Sequence, residues 1–123
     1  MYKDPYAEYL GMTLEKVDPG YARASMKIED HLLNFHGTAN GGAIFSLADF
    51  VFAVASNSHG QAAVGITMTM HYMAAGQTGE LLTATAKEEK EPTRLGLYRI
   101  EVKNESDDLV ALAEGMVYRK KSV

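Results

Sequence analysis

Two adjacent glycines stand where the longest apolar segment of the chain begins, and this position could bind an anion. Gly41 and Gly42 follow Asn40, and the apolar residues from Ala43 onward predict a helix. The first N–H groups of a helix have no partner within it, and its dipole favours a carboxylate, phosphate or oxyanion there. The alternative is that the glycines only allow tight packing.

Asp49 is the second residue that suggests chemistry, because it interrupts the apolar segment 43–55. A helix that is apolar on every side is typically buried. An ionised carboxylate in such surroundings is costly unless it is paired or hydrogen-bonded. Asp49 therefore has either a structural partner or a catalytic role.

The spacing of these groups predicts that two chains build one site. Asp49 follows Gly41 by eight residues, a rise of about 12 Å along a helix. One carbonyl cannot be reached by both groups of the same helix. A two-fold dimer with two such helices side by side would bring Gly41 close to Asp49 of the partner subunit. Dimerisation is then a condition of activity.

Attack on a polarised carbonyl is the chemistry that fits this pair. Amide N–H groups stabilise negative charge on the oxygen. The carboxylate acts as a general base on water or as a nucleophile that forms an anhydride. The chain has no cysteine and no Gly-x-Ser-x-Gly sequence, so other designs for acyl transfer have little support.

Length and composition narrow the class of protein. The 123 residues predict one domain, 1–123, and the net charge of −4 argues against a nucleic-acid partner. Without cysteines there is no thiolate metal site, and the histidines lack metal-ligand spacing, so we expect no metal and no cofactor. A polar N-terminus and a short apolar segment favour a soluble, cytoplasmic protein with no membrane span.

The elements that must hold the glycines and Asp49 follow from periodicity. A helix is expected at 5–10, and strands at 12–17, 21–29, 64–73, 80–89, 95–103 and 109–118. Turns are expected at 18–20, 76–79 and 91–93, and a frayed tail at 119–123. We interpret the last four strands as an antiparallel meander. One face of the first of these is expected to carry Val64, Ile66, Met68, Met70 and Tyr72. The result is an α+β fold, a curved antiparallel sheet wrapped around one long apolar central helix.

The segment 34–49 also carries a family resemblance. Asn34-x-x-Gly37-x-x-Asn40-Gly41-Gly42, followed by Leu47-Ala48-Asp49, strongly resembles the hotdog-fold thioesterases of the phenylacetic-acid-degradation (PaaI-like) type. The order of elements agrees over nearly the whole chain. The resemblance implies hydrolysis of acyl-CoA thioesters, often with aryl-acetyl or medium-chain acyl groups. It also implies a homotetramer, a dimer of dimers with active sites at the dimer interface.

The resemblance assigns catalytic roles residue by residue. Asp49 matches the catalytic carboxylate, and Gly41 the glycine whose amide polarises the carbonyl. Asn34 matches an asparagine that places the substrate or water, and Thr67 a supporting hydroxyl. The alternatives are an ordinary loop residue for Asn34 and an ordinary strand residue for Thr67. Whether the carboxylate attacks directly or activates water stays open.

Substrate contacts are expected from the helix start and from basic residues. Many relatives have His-Gly-Gly where this chain has Asn40-Gly41-Gly42; Asn40 can donate a hydrogen bond but cannot titrate. His36 is a further candidate, although its position does not simply replace that histidine. The candidates for substrate binding are Asn40, Gly42, His36, Lys87, Lys90 and Arg94. The three basic residues could meet the phosphates of CoA, and a solvated strand end is the favoured alternative.

A second class of function uses the same pocket without catalysis. A hotdog protein that binds acyl-CoA as a sensor or carrier needs the helix amides but not Asp49. Loss of hydrolysis with retained binding in an Asp49 variant would separate the two. A hotdog dehydratase has less support, because no histidine stands beside an acid as that chemistry requires.

Overall fold

One long helix and a six-stranded antiparallel sheet make up most of the described chain, residues 2–89 and 94–120 of a computed structural model. The α+β architecture expected from the sequence is confirmed. Among these residues, no helix is long and apolar enough to cross a membrane. The elements are α1 (Pro5–Tyr9), β1 (Met12–Asp18), β2 (Tyr21–Lys27), α2 (Gly41–Ser56), β3 (Ala63–Tyr72), β4 (Leu81–Glu88), β5 (Leu95–Lys103) and β6 (Leu109–Arg119).

Helix α2 packs against one face of the curved sheet, but one stripe along the helix is not covered by the sheet. Its buried residues, such as Leu47, Ala48 and Val51, pack mainly on β2, β4 and β5. Gly42, Asp49 and Ala53 are exposed, and their spacing puts them on one side of the helix. The expectation of burial on all sides was therefore wrong for this stripe, which the single chain leaves open.

The order of strands in the sheet differs from the expected meander. The order is β1-β2-β4-β5-β6-β3, so β3 pairs with β6 at the far edge and β4 pairs with β2. Residues 76–79 belong to a crossover and not to a hairpin turn. The N–H of Ala39 donates to the carbonyl of Gly76 at 2.8 Å, and the N–H of Gly79 donates to the carbonyl of Ile28 at 2.7 Å. Periodicity finds strands but does not identify their neighbours.

A bulge in β3 changes which of its residues face the helix. The register shifts between Gly65 and Thr67, so Met68 pairs with Gly115 and Met70 with Ala113 on the helix side. An extra residue in one strand breaks the alternation of faces. The expected face was therefore wrong for Val64 and Ile66, which are 46% and 50% exposed.

Arg119 was expected in a frayed tail, but it ends β6 and is only 1% exposed. Its guanidinium donates to the carboxylate of Glu88 and, at 2.9 Å, to the hydroxyl of Tyr98. The ring of His59 lies 3.1 Å from the other oxygen of Glu88. Gly96 makes room for this cluster, because a Cβ there would lie 2.7 Å from the guanidinium. The predicted turn at 91–93 and tail residues 121–123 lie outside the described residues.

Candidate active site

The start of α2 offers a single free amide within the described residues. Asn40 caps the helix: its Oδ1 accepts from the N–H of Gly42 at 2.7 Å, and its carbonyl accepts from Ala43 and Ile44 at 3.0 and 3.2 Å. The N–H of Gly41 has no acceptor in residues 2–89 and 94–120. Gly41 is thus the amide that can bind a developing negative charge.

Gly42 contributes by having no side chain. A Cβ at this position would lie 2.9 Å from Oδ1 of Asn40 and would disturb the cap. The sequence interpretation had both glycine amides pointing outward, whereas the amide of Gly42 is engaged. With its oxygen committed, Asn40 presents only its Nδ2 donors to a ligand.

Asn34 organises the loop that leads into α2. Its Oδ1 accepts from the N–H groups of His36 and Thr38 at 2.9 and 3.2 Å, and its Nδ2 lies 3.1 Å from the hydroxyl of Thr38. Its main-chain N–H donates to the carbonyl of Thr38 at 2.7 Å. These bonds occupy both ends of the side chain, so Asn34 holds the loop 34–39 in shape.

The tip of this loop carries two exposed rings. Phe35 is 92% exposed, and the ring of His36 lies against it with the centroids 4.0 Å apart. His36 is exposed as well. Its ring is therefore at the tip of the loop and has no hydrogen bond among the described residues.

Asp49 lies on the open stripe of α2, at a cavity of about 180 Å³. In the part of the chain that the structure describes, no hydrogen bond or ion pair reaches its carboxylate. Partial burial of the carboxylate in the helix surface raises the pKa of Asp49 above its ordinary value, although the residue is exposed to solvent, and the charge of Asp4 raises it further. A carboxylate without a structural partner and with increased proton affinity has the properties of a general base or nucleophile.

Comparison with known proteins decides the family. The sequence profile of the thioesterase superfamily matches residues 36–111. The acyl-coenzyme A thioesterase PaaI of Escherichia coli is 39% identical over 120 residues, which are 97% of this chain and 86% of that protein. The chain belongs to the thioesterase superfamily.

Solved structures agree with this assignment. The thioesterase described here superposes on E. coli PaaI, from the phenylacetic acid degradation operon, with a TM-score of 0.93 at 38% identity, covering 98% of this chain and 87% of that one. It superposes on the TT0310 protein of Thermus thermophilus with a TM-score of 0.92 at 39% identity. This match covers 96% of this chain and 99% of that one. The fold is the PaaI-like hotdog, and the protein is a thioester hydrolase.

Tyr72 is a neighbour of the site that the sequence interpretation did not single out. Its hydroxyl donates to the carbonyl of Gly41 at 2.9 Å, and a Cβ on Gly41 would lie 3.4 Å from its ring. The end of β3 is thereby tied to the start of α2 in this thioesterase. A tyrosine at a strand end gives no signal of that contact in the sequence.

Other candidates lie away from Asp49 and Gly41 of their own chain. Thr67 pairs with Met116 on the face of the sheet turned away from α2. Lys87 is exposed on the same outer face, between Tyr21 and Arg99. Two further basic candidates complete the set. Arg94 is exposed and donates to the hydroxyl of Tyr118 at 2.9 Å, whereas Lys90 lies outside the described residues.

The described residues, 2–89 and 94–120, contain no cluster of metal-ligating side chains. No group of three or more His, Asp or Glu side chains there could hold a metal ion.

Proposed function

We propose that this thioesterase hydrolyses CoA esters of aryl-acetic or medium-chain acids to the free acid and CoA. Its likeness to PaaI, an acyl-coenzyme A thioesterase, supports the substrate class. One observation carries the proposal: the free amide of Gly41 and the unpartnered carboxylate of Asp49 lie on one helix. They are separated by about 12 Å along it.

A dimer would bring the amide of Gly41 and the carboxylate of Asp49 together from two chains. Among the strands of the described residues, β3 is an edge strand, since it pairs only with β6 there. Its exposed residues include Val64 and Ile66. An edge with unpaired backbone groups and apolar side chains favours pairing with another strand. Two-fold pairing of β3 would bring the two copies of α2 together, so that Gly41 meets Asp49 of the partner subunit. The proposed assembly is a dimer of dimers with active sites at the dimer interface.

In the proposed mechanism, the thioester carbonyl accepts a hydrogen bond from the N–H of Gly41. Asp49 of the partner subunit removes a proton from water that attacks the carbonyl carbon, or attacks that carbon itself to form an anhydride. Either attack moves an electron pair onto the carbonyl oxygen, where the Gly41 amide stabilises it. Collapse of this intermediate breaks the carbon–sulfur bond and releases CoA as a thiolate, which takes up a proton from Asp49 or solvent. Attack by water gives the free acid directly, whereas the anhydride must then be hydrolysed by water to release the acid and restore Asp49.

The remaining candidates take supporting roles in this proposal. Thr67 lies on the edge strand and faces away from α2 of its own chain, so its hydroxyl would reach the water or nucleophile only from the outer face of the sheet. Asn34 holds the loop beside the substrate. His36 and the Nδ2 group of Asn40 are donors for the substrate, while Lys87, Lys90 and Arg94 are candidate cations for CoA phosphates. The proposed location is the cytoplasm.

Substitution of Asp49→Asn tests the role of the carboxylate. Release of the CoA thiol is followed for a panel of aryl-acetyl, medium-chain, acetyl and long-chain CoA esters. We expect kcat to fall about a hundredfold or more, because the base or nucleophile is lost. Binding of a non-hydrolysable CoA thioether is expected to be retained, as is the oligomer seen by light scattering.

The wild-type protein distinguishes the enzyme from a sensor. The proposal expects the highest kcat/KM for aryl-acetyl and medium-chain esters. A wild-type protein that binds the thioether but hydrolyses no ester of the panel would support non-catalytic binding. Unchanged kcat in the Asp49→Asn variant would remove Asp49 from the mechanism.

A further inference from the structure

A second carboxylate, that of Asp4, lines the same small cavity as Asp49. We propose that Asp4 is a positioning residue: it holds a fixed negative charge beside Asp49 and thereby sets how tightly Asp49 binds a proton. The inference rests on the proposed role of Asp49 in hydrolysis. It adds the N-terminal segment to the parts of the chain that control the reaction.

The carboxylate of Asp4 is held in place by the cap that it makes. Asp4 precedes α1, and its Oδ1 accepts from the N–H groups of Tyr6 and Ala7, both at 3.0 Å. Two N–H donors therefore contact the same oxygen of this carboxylate. They also hold the side chain in one orientation at the wall of the cavity, so the charge does not move away from Asp49.

The other described residues that line this cavity include no cation that could neutralise the two carboxylates. Besides Asp4 and Asp49, its described lining consists of apolar side chains, one serine and one tyrosine: Tyr6, Ala7, Met12, Phe45, Ser46 and Phe50. Asp49 itself is exposed, so solvent screens part of its interaction with Asp4. Tyr6, whose hydroxyl accepts from Ser46 at 3.4 Å, is the other titratable group among these residues.

One cation lies near Asp4 on the N-terminal segment. Lys3 shares with Asp4 a neighbouring cavity of about 170 Å³, which does not include Asp49. Within residues 2–89 and 94–120, no ion pair joins Lys3 to either carboxylate. The negative charge of Asp4 is therefore not neutralised by a contact at the cavity.

Titratable groups on the sheet side of α2 lie elsewhere along the helix. Tyr72 faces Gly41 at the helix start, and Tyr98 packs edge-on against Phe52 with the ring centroids 5.8 Å apart. The cluster of His59, Glu88 and Arg119 joins β4 and β6 to the turn that follows the helix. Among the cavity residues, Asp4 is thus the charged neighbour of Asp49.

This arrangement has a consequence for the reaction. Burial and then the charge of Asp4 raise the pKa of Asp49, so a proton is removed from it only at a higher pH. The acidic limb of the rate profile moves to higher pH accordingly. Above that limb, the carboxylate is a stronger base than an ordinary aspartate.

Replacement of Asp4 by asparagine removes the charge and keeps the cap. Asparagine caps a helix about as well as aspartate, so Asp4→Asn is expected to fold and assemble. The acidic limb of kcat should move to lower pH, and activity below the wild-type limb, relative to the plateau, should rise about threefold. The plateau itself should fall, because the base is weaker.

Glu8→Gln is the matched control. Glu8 lies on α1, the helix that Asp4 caps, and it does not line the cavity of Asp49. Its replacement by glutamine removes the same charge as Asp4→Asn. We expect its rate profile to match that of the wild type. A profile that moves equally in both variants, or in neither, would overturn the assignment to Asp4.

A titration of Asp49 followed by carboxyl carbon NMR separates this inference from the proposed function. The resonance is assigned by its loss in Asp49→Asn, and its titration midpoint is read in the oligomeric wild type and in both charge variants. A lower midpoint in Asp4→Asn alone supports the inference, whether or not any ester is hydrolysed. Equal midpoints in the wild type and Asp4→Asn contradict it.

Discussion

Gly41, at the first position of α2, combines two properties that matter for the proposed site. Its N–H is free among the described residues, and its Cα faces the ring of Tyr72. The preceding residue, Asn40, has φ −61° and ψ 131°. This is the conformation that a residue before proline prefers, and proline is well tolerated at the first helical position.

Gly41→Pro should therefore delete the amide without breaking the helix. We expect kcat to fall about 10²- to 10³-fold, because one donor to the oxyanion is lost. Gly41→Ala is the control, since it keeps the N–H and adds a Cβ that lies 3.4 Å from the ring of Tyr72. The thiol-release assay should give nearly wild-type kcat for alanine, and equal losses in both variants would mean that the amide is not used.

At the scale of elements, Phe52 sets how closely α2 approaches β3 and β6. A Cβ on Gly115 would lie 2.7 Å from its ring, and a Cβ on Gly65 would lie 3.1 Å from it. The bulge of β3 lies beside this contact, between Gly65 and Thr67. Two glycines on the sheet thus make space for one buried aromatic ring, and this packing holds the helix that carries Gly41 and Asp49.

Gly115→Ala is expected to lower the free energy of unfolding by about 1–3 kcal/mol, because the core has no room for the methyl group. Urea unfolding at a fixed protein concentration measures this change. Phe52→Leu in the same chain should recover part of the loss, so the double variant should be more stable than the sum of the two single changes predicts. Strictly additive effects would contradict the proposed packing.

At the scale of the whole molecule, the proposed site needs two chains. Asp49→Asn and Gly41→Pro each remove a different half of it. A mixed dimer of the two variants contains one site with both groups intact and one site with neither. If subunits mix at random, half of the dimers are mixed and one of their two sites works.

Activity of about a quarter of the wild type is therefore expected when the two inactive variants are unfolded, mixed and refolded together. Thiol release is compared with each variant refolded alone, which controls for recovery during refolding. Recovery of activity only in the mixture supports a site shared between protomers. A mixture as inactive as its components would indicate that both groups act within one chain.

The sequence by itself determined the helices and the strands, and it named the candidate residues that they carry. The bounds of β5 were predicted without error at 95–103, and the other strands within two residues, because the alternation of apolar residues is a local property. Gly41 and Asp49 became candidates through their residue types and positions in the apolar segment, and their roles stay a prediction. The resemblance carried by 34–49 supplied the family, which the comparisons confirmed.

Only the tertiary structure decided which distant residues meet. The pairing of β3 with β6, the burial of Arg119 and the position of Asp4 beside Asp49 join residues far apart in the chain. The bulge and the bond from Gly42 to Asn40 are local, but residue type does not distinguish them from an unbroken strand or an open helix start. These features depend on strand order and packing, which are set by the free energy of the whole chain. They leave no periodic pattern of their own in the sequence.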